Sequence, residues 1–198
     1  SGLFDLNGNL EEWVSDDWRG MNGNLAGGAW YTHWRYADCT ARYSREPDYR
    51  LATDRPTDSA GVRCCWSEWN PTISDVQHDA NQQRLTSKLE VLYNSSNEIE
   101  IESGVWIDQY EYPNQKGAIP TSNKSLDQAK ESCQAESKEL CTEAQWSLAC
   151  SGPSWRGYPY GNEYQSGTCA YDDEGGPLAK AKESGLFEGC QTPEGIYD

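Results

Sequence analysis

The chain has few of the residues that usually fill a hydrophobic core, and it has little positive charge. Its 198 residues include one Met and two Phe, and 36% are hydrophobic. Lysine and arginine number 16 against 32 aspartates and glutamates, which gives a formal net charge of −16. This charge repels phosphate backbones, so we expect no nucleic-acid partner. No apolar stretch approaches the roughly 20 residues that a membrane helix needs, so we expect no membrane span.

The sequence also lacks the residue pattern of a zinc site. It has no Cys-x-x-Cys pair, and its only histidines are His33 and His78. The cysteines are even in number and scattered, which favours disulfides formed in an oxidising compartment. We therefore predict an extracellular or cell-surface protein. The eight cysteines are Cys39, Cys64, Cys65, Cys133, Cys141, Cys150, Cys169 and Cys190.

Trp, Tyr and Gly are abundant, with nine, twelve and 18 copies. Such chains tend to be rich in loops, because Trp N–H and Tyr O–H groups bond to irregular backbone while their rings are buried. Acidic, oxygen-rich loops also suit hard cations such as calcium. We therefore expect a loop-rich fold in which aromatic side chains take the place of aliphatic ones.

The first part of the chain divides into two segments of different character. Residues 1–66 alternate aromatic clusters with Gly and Asn turns and show no helical period. Residues 67–104 are more polar and read as a long connector. Within it, residues 98–102 alternate like an exposed strand. A weak helical spacing is formed by Leu85, Leu89 and Leu92.

The third segment, residues 105–198, has the clearest local signals. A capping box begins at Ser125 and predicts a helix that ends near residue 134. A second capping box begins at Thr142 and predicts a short helix. After this helix the chain is rich in turn residues.

One motif occurs at both ends of the sequence and is complete at only one. Residues 2–13 read Gly-Leu-Phe-Asp-Leu-Asn-Gly-Asn-Leu-Glu-Glu-Trp, and residues 195–198 repeat the Gly-apolar-aromatic-Asp opening. A chain cut twice at the same point of a repeating unit has such ends. The first third then corresponds to the back half of a fold whose front half lies at the C-terminus, in this chain or in a neighbouring one.

Several spaced motifs resemble the formylglycine-generating enzymes, the sulfatase-modifying factor superfamily. The resemblance covers roughly residues 105–198 and 1–66. The matching stretches are residues 139–146 with 158–161 ("RLPTEAEWE…YPWG" in the family), residues 2–13 ("GLYDMxGNVWEW"), residues 27–30, 39–42 and 61–64 ("GGSW…CxAR…GFRC"), and residues 105–111, which resemble the family's opening strand.

The resemblance implies a compact, loop-rich α+β domain, distantly like C-type lectins and stapled by disulfides, but with its halves in rotated order. Residues 105–198 match the N-terminal half of the family domain, residues 1–66 match the C-terminal half, and residues 67–104 connect them. Two arrangements remain open: a circular permutant, or tandem or polymeric domains. The repeated terminal motif favours the second.

The family oxidises a substrate cysteine with two cysteines that bind copper(I), a soft ion that prefers thiolates. The matching positions hold Tyr31 and Tyr36 in one register, and Thr32 and Ala37 in the other. We therefore expect a catalytically degenerate member, a pseudoenzyme with no copper and no oxidase activity. An oxidase of the formylglycine-generating type is the least favoured alternative.

A calcium site is implied by the resemblance at residues 5–12. Its ligands would be the main-chain oxygens of Asp5, Gly8 and Leu10 and the carboxylate of Glu12. Because Gly8 and Glu12 are both retained, we predict one calcium ion in this loop. The alternative is that the loop forms only a tight turn.

The resemblance implies two disulfides, while the other four cysteines have no secure family precedent. Both implied bonds join the first block to the last, within one chain or between successive chains. The implied pairs are Cys39–Cys150 and Cys64–Cys133. We pair the remaining four cysteines as Cys65–Cys141 and Cys169–Cys190 without a family precedent.

These observations favour a non-catalytic extracellular structural module. It would be a repeating subunit of a surface protein or filament, completed by head-to-tail exchange between copies. The alternative is a calcium-dependent, lectin-like domain that binds a glycan or a protein. In that case exposed rings would stack on sugar faces, and the candidates are Trp30, Trp34, Tyr36 and Trp155.

Overall fold

The computed structural model describes residues 2–15, 24–39, 59–67, 97–170 and 180–193. The leucines at helical spacing and the repeated motif at residues 195–198 lie outside these ranges. The predicted α+β class is confirmed. In chain order the elements are β1 (Glu11–Val14), β2 (Asn24–Ala26), a 3-10 turn (Trp34–Tyr36), β3 (Ala60–Gly61), β4 (Cys64–Ser67), β5 (Glu98–Glu102), β6 (Val105–Asp108), α1 (Leu126–Ala135), β7 (Glu139–Leu140) and α2 (Glu143–Ser151).

Both predicted helices are confirmed, and both begin at the predicted capping boxes. The Ser125 hydroxyl accepts the Gln128 N–H, and the Gln128 side chain accepts the Ser125 N–H. Thr142 and Gln145 make the same reciprocal pair at the start of α2. These bonds satisfy N–H groups that have no partner within the helix. Within the described parts of the chain, neither helix is long and apolar enough to cross a membrane.

The first sheet has three strands in the order β2–β1–β3 and comes entirely from the first block. Strand β1 pairs antiparallel with β2, where Trp13 lies opposite Leu25, and parallel with β3, where Glu11 lies opposite Ala60. All four residues of β1 are buried. The sheet therefore places the end of the Asp5–Glu12 loop inside the molecule.

The second sheet joins the two blocks. Its order is β5–β6–β4–β7, and β4 from the first block lies between two strands of the last. Trp66 on β4 is opposite Trp106 on β6, and their rings stack with centroids 4.2 Å apart. Strand β5 pairs with β6, so the sheet begins at residue 98, inside the predicted connector. The alternating pattern at residues 98–102 correctly predicted a strand.

Two large core clusters hold the domain together, and each contains residues of both blocks. The first contains Leu6 from the first block with Ile107 and Trp146 from the last. The second contains Val62 from the first block with Leu126 from α1. Neither block has a complete core of its own, so either block alone would expose apolar surface.

Four disulfides reinforce these contacts, and three of them link the first block to the last. They attach α1 and α2 to the first block and close the pair of strands β4 and β7. Four disulfides in a chain of this size fit an oxidising, extracellular environment. The bonds are Cys39–Cys150, Cys64–Cys133, Cys65–Cys141 and, within the last block, Cys169–Cys190, the same four pairs as assigned above.

The close packing of the Gly27 backbone against the loop and α2 gives a test of the fold. Gly27 and Gly117 both have a left-handed backbone, with φ of 89° and 79°. A Cβ at Gly27 would meet the Leu6 carbonyl oxygen and lie 2.8 Å from the Trp146 ring, whereas a Cβ at Gly117 has nothing within 4 Å. We expect Gly117→Ala to cost about 1 kcal/mol from backbone strain alone. Gly27→Ala should cost roughly 1–3 kcal/mol more because of overlap.

Urea unfolding of the two variants measures this difference directly, with Gly117→Ala as the matched control. Equal losses of stability would contradict the described packing of the loop against α2.

Candidate functional site

The loop that leads into β1 has a backbone suited to bringing main-chain oxygens together. Asp5, Gly8 and Asn9 have positive φ angles of 57°, 78° and 59°. Its amides are held by the last block: the Asp5 N–H donates to the Cys190 carbonyl at 3.3 Å, and the Asn9 N–H donates to the Ala170 carbonyl at 3.0 Å. The loop is buried and fixed at its contact with the last block.

A buried ion pair lies beside this loop. The Arg63 Nε atom donates to both oxygens of Glu12 at 2.9 and 3.0 Å, and its Nη2 atom is 2.8 Å from Oε1. The Trp146 indole N–H donates to Oε2 of Glu12 at 2.7 Å. A carboxylate has about four lone-pair directions, and three N–H hydrogens point at those of Glu12, with the Arg63 Nε–H shared between both oxygens. Glu12, the implied calcium ligand, thus has Arg63 and Trp146 as its hydrogen-bond partners.

A second buried carboxylate, Glu111, enters the same region from the last block. Its Oε2 atom accepts hydrogen bonds from Asn9 Nδ2 at 2.8 Å and from the Ser184 hydroxyl at 2.9 Å. Its Oε1 atom is buried and has no hydrogen-bond partner among the described residues. Burial raises the pKa of Glu111 well above its usual value, and the negative charges of Asp5 and Glu12 raise it further.

Asp5 adds a third carboxylate to this group. Its Oδ2 atom accepts the Gly185 N–H at 2.6 Å. Burial raises the pKa of Asp5 to about 6, although the Gly185 N–H and the Arg63 charge act in the opposite direction. When ionised, Asp5, Glu12 and Glu111 carry three negative charges against the single positive charge of Arg63. Buried charge that is not compensated is costly, so the cluster favours a bound proton or cation.

Calcium fits part of this arrangement. Left-handed turns let main-chain carbonyls converge, and the buried Oε1 atom of Glu111 is an oxygen of the kind that calcium prefers. In the described ranges no three His, Cys, Asp or Glu side chains form a ready metal cluster. A cation in this loop would depend mainly on main-chain oxygens of Asp5, Gly8 and Leu10, and a Glu12 carboxylate that bound it would also carry its hydrogen bonds from Arg63 and Trp146.

The positions that match the copper ligands of the resembling family have other roles. The Thr32 hydroxyl accepts the Ala29 N–H at 3.0 Å, and Ala37 is fully buried in a small core cluster. In the other register, the Tyr31 hydroxyl donates to Glu11 at 3.1 Å, while Tyr36 is exposed. All eight cysteines of the chain are in disulfides, so none offers a thiolate for copper(I).

The candidate stacking residues are only partly brought together. Trp155 is 74% exposed and has a φ of 53°, and Tyr36 is 67% exposed. The Cys39 N–H donates to the Gly157 carbonyl at 2.8 Å, which places the segments that carry these two rings side by side. Trp30 is half-buried, and its ring makes an edge-to-face contact with the ring of Tyr31. The side chain of Trp34 lies outside the part of the chain that the structure describes.

An additional pair of rings, Tyr158 and Tyr160, lies in the same region. Their centroids are 5.4 Å apart and their planes are nearly parallel. The turn-rich sequence that contains them gave no signal for this contact. The roles of Arg63 and Glu111 were also missed, although both residues lie in stretches, 61–64 and 105–111, that resemble family motifs.

Comparisons with family models, with curated proteins and with solved structures found no match. The likeness to the formylglycine-generating enzymes therefore rests on the motifs alone. The function has to be proposed from the chemistry of the described residues.

The Arg63–Glu12 pair yields a stability prediction. Glu12→Gln removes the carboxylate that is hydrogen-bonded to the fully buried Arg63 guanidinium, and breaking such a pair costs about 3–5 kcal/mol. The matched control is Glu136→Gln, because Glu136 is 3.6 Å from Lys138 in a partly exposed pair. Exposed pairs contribute at most about 1 kcal/mol. Thermal unfolding of both variants is the measurement, and similar small losses would show that the Glu12 contacts are not stabilising.

Proposed function

We propose that this chain is a non-catalytic extracellular structural module in which the two blocks complete one disulfide-stapled domain. The observation that carries this proposal is the position of the covalent links. Three disulfides and both large core clusters cross between the blocks. Such a domain resists separation of its halves, which suits a load-bearing role outside the cell.

The absence of oxidase activity is part of the same proposal. Copper(I) chemistry of the formylglycine-generating type needs two thiolates, and every cysteine here is in a disulfide. The matching positions in one register are Thr32, which caps a turn, and Ala37, which is core. These side chains are inert towards a soft metal, so the fold is proposed to serve as a scaffold.

The links between blocks lie within one chain in the structure, and the same links could form between chains. A first block that joins the last block of a neighbouring chain would form the same cores and the same three disulfides. Because such contacts run in one direction, they are heterologous and generate a filament unless a ring closes. We propose this head-to-tail exchange as the way the module is used in a surface protein or fibre.

Non-reducing electrophoresis of the purified chain tests the exchange. We expect a ladder of multiples of 22.2 kDa that collapses to one band on reduction. The control is a Cys169→Ala, Cys190→Ala double variant, whose missing bond lies within the last block and should leave the ladder intact. One monomer band under both conditions would rule out covalent exchange.

The structural module itself needs a separate test. A protease site inserted after residue 80 allows the chain to be cut between the blocks. The two fragments should remain together without reductant and separate only when the disulfides are reduced. Fragments that separate without reductant would contradict the three links between the blocks.

A second candidate function is glycan binding through Trp155. A left-handed backbone is unfavourable for a bulky residue, and here it presents a side chain that is 74% exposed. Backbone strain that is not offset by packing of the side chain is often found at functional sites. With a net charge of −16, the chain would prefer neutral glycans over sulfated or sialylated ones.

Two substitutions at Trp155 test this alternative. Trp155→Gly should raise stability by about 1 kcal/mol because glycine accepts this backbone without strain. Trp155→Ala should remove binding to any neutral glycan detected on an array. Leu186→Ala is the control, since Leu186 is 54% exposed and has no proposed ligand role. Equal glycan signals from Trp155→Ala and Leu186→Ala would eliminate the proposed contact.

A further inference from the structure

Three charged side chains meet on the second sheet. Lys138, directly before β7, reaches carboxylates on two other strands. Its Nζ atom is 2.5 Å from Oδ1 of Asp108, at the end of β6, and 2.7 Å from Oε1 of Glu98, on β5. The side chain of Asp108 is fully buried, and those of Lys138 and Glu98 are 12% and 13% exposed. An amine and two carboxylates are therefore held in contact and largely away from water.

The carboxyl group of Asp108 is fixed at one oxygen and unpaired at the other. Besides the contact with Lys138, Oδ1 accepts a hydrogen bond from Asn114 Nδ2 at 3.0 Å. The Asn114 side chain is itself anchored, because its Nδ2 donates to the Asn97 carbonyl at 2.7 Å and its Oδ1 accepts the Tyr110 N–H at 3.1 Å. Oδ2 of Asp108 is buried and has no hydrogen-bond partner among the described residues. An unpaired buried polar atom is rare and requires a cause.

The carboxylate of Glu98 is oriented by an aromatic pair. Its Oε2 atom accepts the indole N–H of Trp66 at 3.0 Å, and its Oε1 atom contacts Lys138. The Trp66 ring stacks on Trp106 with centroids 4.2 Å apart, so this donor is held in place. Glu98 and Asp108 are opposite each other in the register of β5 and β6. The sheet therefore sets both carboxylates at fixed positions beside the Lys138 amine.

The electrostatics of this group favour the loss of a charge pair. Burial raises the pKa of Asp108 to about 6, although the charge of Lys138 acts in the opposite direction. Burial acts to lower the pKa of Lys138, but its contacts with Asp108 and Glu98 outweigh this effect and raise the pKa above its usual value. The three groups therefore begin as one ammonium beside two carboxylates. Buried charge that is not compensated is costly, and so is the unpaired Oδ2 oxygen.

We propose that Lys138 and Asp108 form an intramolecular isopeptide bond, with Glu98 as the proton acceptor. The lone pair of Lys138 Nζ attacks Cγ of Asp108, the Cγ–Oδ2 bond breaks, and Oδ2 leaves as water. Oδ1 remains as the amide oxygen and keeps its hydrogen bond from Asn114. An ammonium and a carboxylate become one amide and one water molecule, so atoms and charges balance without an oxidant or a cofactor.

Each neighbouring group has a defined part in this condensation. Two protons must leave Nζ, and the Glu98 carboxylate that contacts Nζ can accept a proton and release it to the departing oxygen. The fixed contact between Nζ and the Asp108 carboxyl group raises the effective concentration of the reactants. The Asn114 amide stabilises negative charge that develops on Oδ1. The product no longer contains the unpaired Oδ2 atom, and its amide N–H can donate to Glu98.

The bond would join the two strands that flank β4. Asp108 ends β6 and Lys138 precedes β7, while β4, from the first block, lies between these strands. An amide resists reductant, so the last block would keep one covalent cross-link after all four disulfides are reduced. The proposal does not depend on exchange between chains, because all three reacting groups lie within residues 98–138.

Mass spectrometry of the folded, purified chain after reduction of its disulfides tests the proposal. We expect an intact mass lower than the sequence mass by one water molecule. A tryptic digest should contain a branched peptide that joins Asp108 to Lys138, because trypsin does not cleave after an acylated lysine. The full sequence mass, or a loss of water located at other residues, would overturn the proposal and leave these groups as an ion pair only.

Lys138→Arg tests the assignment of the amine. A guanidinium keeps the positive charge and the ion pairs but does not form this amide, so we expect the full mass of the variant sequence. A loss of water in Lys138→Arg would overturn the assignment. Because the wild-type mass alone decides whether the bond exists, a variant that fails to fold leaves the main test intact.

Glu98→Gln tests the proton acceptor, because glutamine can still accept the Trp66 N–H but is not a base. We expect the cross-linked fraction of freshly purified protein to fall by about tenfold or more, as loss of a general base implies. The control is Glu136→Gln, since Glu136 is 3.6 Å from Lys138 in a partly exposed pair. This control should show the same loss of one water molecule as the wild type. A wild-type cross-linked fraction in Glu98→Gln would overturn the role of Glu98.

Discussion

The arrangement of the two sheets depends on the guanidinium of Arg63. This residue lies between β3 of the first sheet and β4 of the second, and it is fully buried. Its planar fork reaches Glu12 on β1, the carbonyl of Asp108 at the end of β6, and the carbonyl of Phe4 in the loop. Because a buried guanidinium needs all of these acceptors, their relative positions are fixed together.

The small supply of aliphatic residues is offset by the cystines. Cys39, Cys65, Cys141 and Cys150 are members of the first core cluster, so the disulfides are core side chains as well as cross-links. The three bonds between blocks span 111, 69 and 76 residues. In the chain-entropy model, a loop of this length gives roughly 4–5 kcal/mol per bond, although nested loops do not add fully. A chain with modest apolar area can therefore keep a single folded state.

Features that depend on local chemistry were predictable from the sequence, and features that depend on distant partners were not. The capping boxes at Ser125 and Thr142 involve residues three positions apart, so both helices could be located in advance. The alternation at residues 98–102 indicated a strand, but its partner β6 could not be read from the same residues. Glu111 was only part of a strand-like motif, because its environment is formed by Asn9 and Ser184, 102 and 73 residues away.

The role of Glu12 shows why a motif position does not determine chemistry by itself. The resemblance assigns its carboxylate to calcium, and the residue lies at the end of the loop in which Asp5, Gly8 and Asn9 have positive φ angles. In the fold its oxygens accept hydrogen bonds from Arg63 of the first block and Trp146 of the last block, and neither partner can be inferred from the motif. Glu111 has no counterpart in that ligand set, yet its carboxylate is buried beside the same loop and accepts hydrogen bonds from Asn9 and Ser184. A motif position therefore identifies the residue, while the fold decides which partners surround its carboxylate.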